Sequence, residues 1–196
     1  MIALRAVALA GLIGVSSASS QAAVPPTDSA EAKSQAQHLN SLPPLPPAGP
    51  GHIDHSGRTQ KGRGSFYAKK FTNRKMADGH RMNPNANIAA SKTLPLGSVA
   101  KVKNLDNGKT ATVKIEDRGP YVDGRVVDLA PKVADDLDMK TKGVTPVEVK
   151  PITIPEPDGG VKLGSGAAES NQQEIKDATA VTRELTAPKS VEAAER

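Results

Sequence analysis

Residues 99–129 read VAKVKNLDNGKTATVKIEDRGPYVDGRVVDL, and the order of apolar, turn-forming and charged residues in this stretch decides what fold the chain can adopt. Val99 to Leu105 and Lys109 to Ile115 are separated by Asp106-Asn107-Gly108. Asn-Gly between two such runs is the strongest short hairpin signal, because both residues tolerate positive φ. The second run places Ala111, Val113 and Ile115 on one face and Thr110, Thr112, Lys114 and Glu116 on the other, the alternation of a half-buried strand. Gly119-Pro120 then breaks any regular element and turns the chain. Asp117 ends the second run, and Asp128 is embedded among Val126, Val127 and Leu129, so two aspartates and Arg118 surround one tight polar loop. A carboxylate flanked by branched apolar residues tends to lose solvent, which favours its protonated form, and Asp128 is therefore the better general-acid candidate. Asp117, beside Arg118, is expected to stay ionised and to position or brace. The alternative for both is a purely structural role, bonding backbone amides of the loop.

Around this stretch the pattern continues in short pieces. Gly64 to Tyr67 and Ile88 to Ala90 read as strands, and Pro146 leads a closing strand from Val147 to Lys150. Pro131 to Met139 has proline at a helix start and Val133, Ala134 and Leu137 at helical spacing, which predicts one short helix after the Asp128 strand. Short strands with one helix in about ninety residues predict an all-β fold, a small closed six-stranded barrel that leaves no sheet edge exposed.

The flanks differ in composition. Met1 to Arg5 carry a charged start, Ala6 to Val15 are apolar, and small residues run to Ala23. This is the layout of a secretory signal peptide, too short to anchor the mature chain across a bilayer. Residues 24–60, with Leu42-Pro43-Pro44-Leu45-Pro46-Pro47, read as a disordered proline- and alanine-rich linker. Residues 155–196 read as a polar, alanine-rich tail for which disorder is expected, with a weak helix between Gln172 and Leu185 as the alternative. The folded domain is then 61–154, which holds all four Phe and Tyr residues. Residues 61–152 contain 18 Lys and Arg against 10 Asp and Glu, a net +8, whereas 153–196 contain 5 against 8, a net −3. A basic domain suits anionic polymers, and the export signal argues for envelope polymers rather than nucleic acid. With no cysteine, disulfides, zinc–thiolate sites, thiol nucleophiles and cysteine-linked lipid anchors are excluded. No glycine-rich phosphate loop leads from a strand into a helix, and nothing in the pattern asks for a cofactor or a metal. His52-Ile53-Asp54-His55 has ligand-type residues but no third fixed partner. Ser91-Lys92 would point to opposite faces of a strand, and Lys69-Lys70 with Arg74-Lys75 reads as a solvated basic loop.

Six blocks in order carry a family resemblance: Gly64-Ser65-Phe66-Tyr67, Ala77-Asp78-Gly79, Ala89 to Gly97, Val102 to Gly108, Asp117 to Tyr121, and Gly124 to Leu129. Together they resemble the double-psi β-barrel domain of the rare lipoprotein A (RlpA) family, septal lytic transglycosylases of peptidoglycan. The resemblance covers about residues 62–152, and the same barrel occurs in expansins and an endoglucanase family. It implies that Asp128 is the catalytic acid. It also implies departures: the family's glutamate falls on His80, its aspartate three residues on falls on Asn83, and its histidine before Lys-Thr-Leu-Pro falls on Ser91.

A lytic transglycosylase needs one acid/base group where other glycosidases need two carboxylates, because the sugar's own C6 hydroxyl closes a 1,6-anhydro ring. Asp128 would carry that step with Asp117 in support. Arg118, Tyr121, Tyr67, His80, Asn83 and Ser91 are the candidate glycan contacts. The two tyrosines have core packing as their alternative. Three functions stay open: an exported transglycosylase acting on glycan strands, a wall-binding barrel without chemistry, and a module docking divisome or envelope proteins.

Overall fold

The computed structural model describes residues 24–45 and 51–186. The expected signal peptide, Pro46 to Pro50 and the last ten residues lie outside the described residues. Strands β1 (Gln60–Phe66), β2 (Ile88–Ser91), β3 (Val99–Asn104), β4 (Thr110–Asp117), β5 (Arg125–Leu129) and β6 (Thr145–Pro155) follow in chain order. They pair in the order β1-β5-β2-β4-β3-β6, and β6 pairs back onto β1, which closes the six-stranded barrel that the sequence predicts. Two of the pairings, β1/β5 and β2/β4, are parallel and the others antiparallel. One short helix, α2 (Pro131–Asp136), starts on Pro131 and buries Val133 and Ala134.

The interior is aliphatic. Val102, Val113, Ile115, Val127, Leu129 and Val147 are at most 1% exposed, each contributing about 1.5–3 kcal/mol through burial. The predicted β3–β4 hairpin forms, with Lys103 opposite Thr110. Its turn differs from the two-residue type that Asn-Gly suggests. Among the described residues of the turn only Gly108 has positive φ, at 78°, and its N–H donates to the Asn104 carbonyl at 2.8 Å. Asn104 and Asn107 both donate side-chain N–H groups to the Leu137 carbonyl, at 2.9 and 3.1 Å. The turn is therefore fixed by the end of α2.

The flanks correct the expectation of disorder. Within 24–60, α1 (Ala30–Ser41) is capped by Ser29, whose Oγ accepts the Ala32 N–H at 3.1 Å. Within 155–196, β7 (Val161–Leu163) pairs antiparallel with the far end of β6, and α3 (Gln172–Thr186) follows. Together they build a second apolar cluster of Ala32, Ala36, Val99, Ile152, Leu163, Ala167, Ile175 and Ala178. Two features make this possible. β6 runs eleven residues, past the predicted Lys150, and so offers a platform beyond the barrel. The segment that crosses it is cut to fit: a Cβ at Gly166 would lie 2.6 Å from the Lys150 carbonyl oxygen, so only glycine permits that approach. Thr153 and Thr182 hydroxyls meet at 2.8 Å beneath α3, satisfying polar atoms that burial would otherwise strand.

Candidate active site

Strand register alone assembles the site. Ser65 on β1 lies beside Asp128 on β5, Asp128 lies beside Ala90 on β2, and Ala90 lies beside Asp117 on β4. Ser65, Asp128, Ala90 and Asp117 thus form one row across four strands. Each parallel pair takes one additional residue one or two positions before its aspartate. Gly64 pairs with Val127 where Arg63 pairs with Arg125, so Val126 is extra, and Ala90 pairs with Asp117 where Ala89 pairs with Ile115, so Glu116 is extra. Such bulges re-aim side chains next to active sites.

The β5 bulge has a direct consequence. Residues three apart on a regular strand face opposite sides, yet the Arg125 guanidinium donates to both Asp128 Oδ1 and Ser65 Oγ, and Ser65 Oγ–H donates to Asp128 Oδ1. Among the described residues no donor reaches Asp128 Oδ2. The apolar setting expected for Asp128 is therefore replaced by a cation and a hydroxyl, since Val126 and Val127 turn into the core at 6% and 0% exposure.

Asp117 is held differently. Its Oδ1 accepts the backbone N–H groups of Ala77 and Arg118, both at 2.9 Å, and its Oδ2 accepts the Tyr67 hydroxyl at 2.8 Å. The Arg118 guanidinium does not pair with Asp117. It donates to the carbonyls of Leu94, at 2.5 Å, and Ser91, at 3.3 Å, pinning the chain where it leaves β2. Burial first, and then the bond to Asp117, push the Tyr67 phenol far above its ordinary pKa, so it stays a neutral donor. Its ring stands edge-on to Phe71 with centroids 5.8 Å apart, so Tyr67 is a packed support of Asp117 more than an open stacking face. Tyr121 is the reverse, 72% exposed beyond the cis Gly119–Pro120 bond.

The three departures fall in different places. Ser91 is 1% exposed and its Oγ accepts the N–H groups of Thr93 and Leu94, at 3.4 and 3.2 Å, which makes it a turn cap. Asn83 is exposed and its Oδ1 accepts the Asn85 N–H at 2.9 Å. His80 is exposed and its Nδ1 lies 2.7 Å from Asp78 Oδ2. Lys92 reaches the Val122 carbonyl at 3.3 Å, away from the Ser91 hydroxyl. Lys70 and Arg74 lie over the Phe71 ring at 5.5 and 5.6 Å, which orders the basic loop. In the His52–His55 segment, Asp54 is buried and spent on the Ser56 N–H at 2.8 Å and the Gln60 side chain at 3.3 Å.

Sequence reasoning missed Ser65, Arg125 and the burial of Glu116. The last is 7% exposed, and burial raises its pKa above the ordinary carboxylate value. No spacing rule reveals Arg125, because the bulge that brings it to Asp128 is not encoded by a glycine or proline.

Parts of this chain resemble known proteins. Residues 59–149 match the family described as lytic transglycolase. A segment of 99 residues, half of this chain, is 39% identical to the endolytic peptidoglycan transglycosylase RlpA of Pasteurella multocida (strain Pm70), of which it spans only 34%. Among solved structures, the Streptomyces papain inhibitor aligns at 23% identity and TM-score 0.39, over 48% of this chain and 94% of that one. A Clavibacter michiganensis expansin in complex with cellohexaose aligns at 17% identity and TM-score 0.39, over 48% and 50%. The barrel at the centre of this chain is thus similar to the RlpA-like double-psi β-barrel domains of lytic transglycosylases, and the chain spans about a third of the length of the relative it matches.

Proposed function

We propose that the barrel cleaves peptidoglycan glycan strands endolytically, in an exported protein of cell-wall remodelling or division, with Asp128 as the acid/base group. The observation that carries this reading is the free Oδ2 of Asp128 within the four-strand row, with Oδ1 held by Ser65 and Arg125. In the proton-loaded enzyme Asp128 protonates the glycosidic oxygen as the C1–O bond breaks. The C6 hydroxyl of the same sugar then bonds to C1, and the Asp128 carboxylate takes its proton, which restores the acid. Asp117 contributes by fixing the loop above the row through Ala77. The exposed Tyr121 ring and the basic Lys69–Lys75 loop offer a stacking face and a charged rim to the strand. Strands lacking stem peptides are the preferred substrate in this reading, and envelope or divisome proteins are its partners.

A second reading is a barrel that binds glycan without cutting it. It is favoured by two features: Arg125 is engaged on Asp128 Oδ1, and His80, Asn83 and Ser91 supply no carboxylate beyond Asp128 and Asp117. One experiment separates the two. The protein is incubated with sacculi and with peptide-free glycan strands, and 1,6-anhydro-muramyl products are sought by mass spectrometry. Products that vanish in Asp128→Asn establish cleavage, whereas sedimentation with sacculi and no products establishes binding alone.

A further inference from the structure

Beside the row, one loop and one strand bring together ligand-type side chains that the proposed cleavage does not use. Asp78, His80 and Glu116 each present a donor atom, and the three atoms lie within 4.8 Å of one another. The loop is seated on β4 by its backbone, since the Asp78 N–H donates to the Glu116 carbonyl at 3.1 Å. It is closed on itself by Asp78 Oδ1, which accepts the His80 N–H at 2.9 Å, and by Met76 N–H, which donates to the His80 carbonyl at 2.8 Å. The backbone of Asp78 and His80 therefore stands in fixed relation to β4 before any ligand arrives.

Glu116 supplies the independent observation. It is only 7% exposed, and Lys114 is the one cation paired with its carboxylate among the described residues. Its nearest cation is Lys114 Nζ at 3.6 Å, on a side chain 39% exposed that can turn to solvent. A nearly buried carboxylate held by a single lysine is costly to desolvate, and it faces an imidazole and a second carboxylate.

We propose that Asp78, His80 and Glu116 bind one divalent transition-metal cation of the zinc type, which clasps the loop around His80 onto β4. One imidazole and two carboxylates form a donor set suited to such a cation, with water completing the coordination. Ligand atoms around it stand about 3.4 Å apart at bond lengths of about 2.1 Å, so the exposed His80 ring closes the site by a shift of about an ångström. The ion would also fix Ala77, whose N–H donates to Asp117 Oδ1, and thereby steady the neighbouring row.

The test uses the full chain without an affinity tag, stripped with chelator and titrated calorimetrically with Zn2+, with Mg2+ as a hard-cation control. One Zn2+ per chain is expected, with affinity falling at least about tenfold in His80→Ala and in Glu116→Gln. Lys114→Gln, which removes the competing cation, should tighten binding. His52→Ala and His55→Ala should leave it unchanged. His80 is exposed and glutamine is isosteric with Glu116, so both variants should melt within about 2 °C of the wild type in chelator. Absence of Zn2+ uptake, uptake undiminished in both site variants, or uptake lost through His52 or His55 overturns the assignment. The measurement contains no glycan, so its failure leaves the proposed cleavage untouched.

Discussion

The two parallel strand pairs of this barrel end in the same way and do different things. In both, an extra residue precedes an aspartate, Glu116 before Asp117 on β4 and Val126 before Asp128 on β5. Asp117 is saturated by donors the fold has fixed: two backbone N–H groups and a phenol packed against Phe71. Asp128 is held on one oxygen only, by two side chains that can move, Arg125 and Ser65. A carboxylate with both oxygens committed is a brace, and one with an uncommitted oxygen is open to a ligand. Equivalent topology therefore yields a braced corner and an open one.

The largest expected difference lies in activity. Asp128→Asn should lower the rate of anhydro-sugar formation by at least about 100-fold while shifting Tm by no more than about 2 °C. If cleavage survived in Asp128→Asn and was lost in Asp117→Asn, the two corners would have to exchange roles. Asp117→Ala should show the opposite profile. It strands three donors, two of them backbone, and should cost about 3 kcal/mol, read as a fall in Tm of roughly 6–12 °C. A Tm unchanged in Asp117→Ala would remove the brace from the comparison.

Smaller effects sharpen the same contrast. Arg125→Gln removes the charged hold on Asp128 Oδ1, and about 1.4 kcal/mol of lost positioning corresponds to a tenfold slower reaction. A faster reaction would instead mean that Arg125 restrains the acid, as in the binding-only reading. Tyr67→Phe deletes one of three donors to Asp117, and about 1 kcal/mol of stability should go with it while sacculus binding persists. Loss of sacculus binding with an unchanged Tm would return Tyr67 to the glycan face.

How much of this was legible in the sequence depended on which physical rule governed each residue. The barrel was legible because Ala111, Val113 and Ile115 alternate with polar residues and because Asn107-Gly108 and Gly119-Pro120 mark turns. Both obey local rules of strand period and turn conformation. The outer layer was not, because Ala32, Ala36, Ala167, Ala178 and threonines fill much of it and Val161, Leu163 and Ile175 are its few larger buried residues outside β6 and the barrel, a composition close to that of disordered linkers. The fit of Gly166 against β6 is a long-range fact with no local signature. In the site, both aspartates were found from their β-type surroundings. The cation expected beside Asp117 is not paired with it, because Arg118 is adjacent in sequence but points to the Leu94 carbonyl, and the cation beside Asp128 was not expected, because Arg125 reaches it only through the bulge.

The extra residues themselves give the finest comparison. Val126 buries a side chain that burial stabilises, and Glu116 at the matching place buries a carboxylate, with burial the main cause of its raised pKa and Asp78 adding to it against the pull of Lys114. A carboxyl group whose pKa is higher folded than unfolded favours the native state while protonated, and that advantage is lost as pH rises through the folded value. In chelator, the wild type and Glu116→Gln should therefore melt together below about pH 4.3, the ordinary glutamate value. They should diverge as pH rises, with the glutamine variant about 2 °C higher near pH 8. Parallel curves would show that Glu116 bears no cost for its burial, and β4 and β5 would then differ only in their aspartates. Divergence that disappears on adding Zn2+ to the wild type would tie that cost to the proposed ion, because a carboxylate unfavourable alone becomes favourable once a cation shares its site.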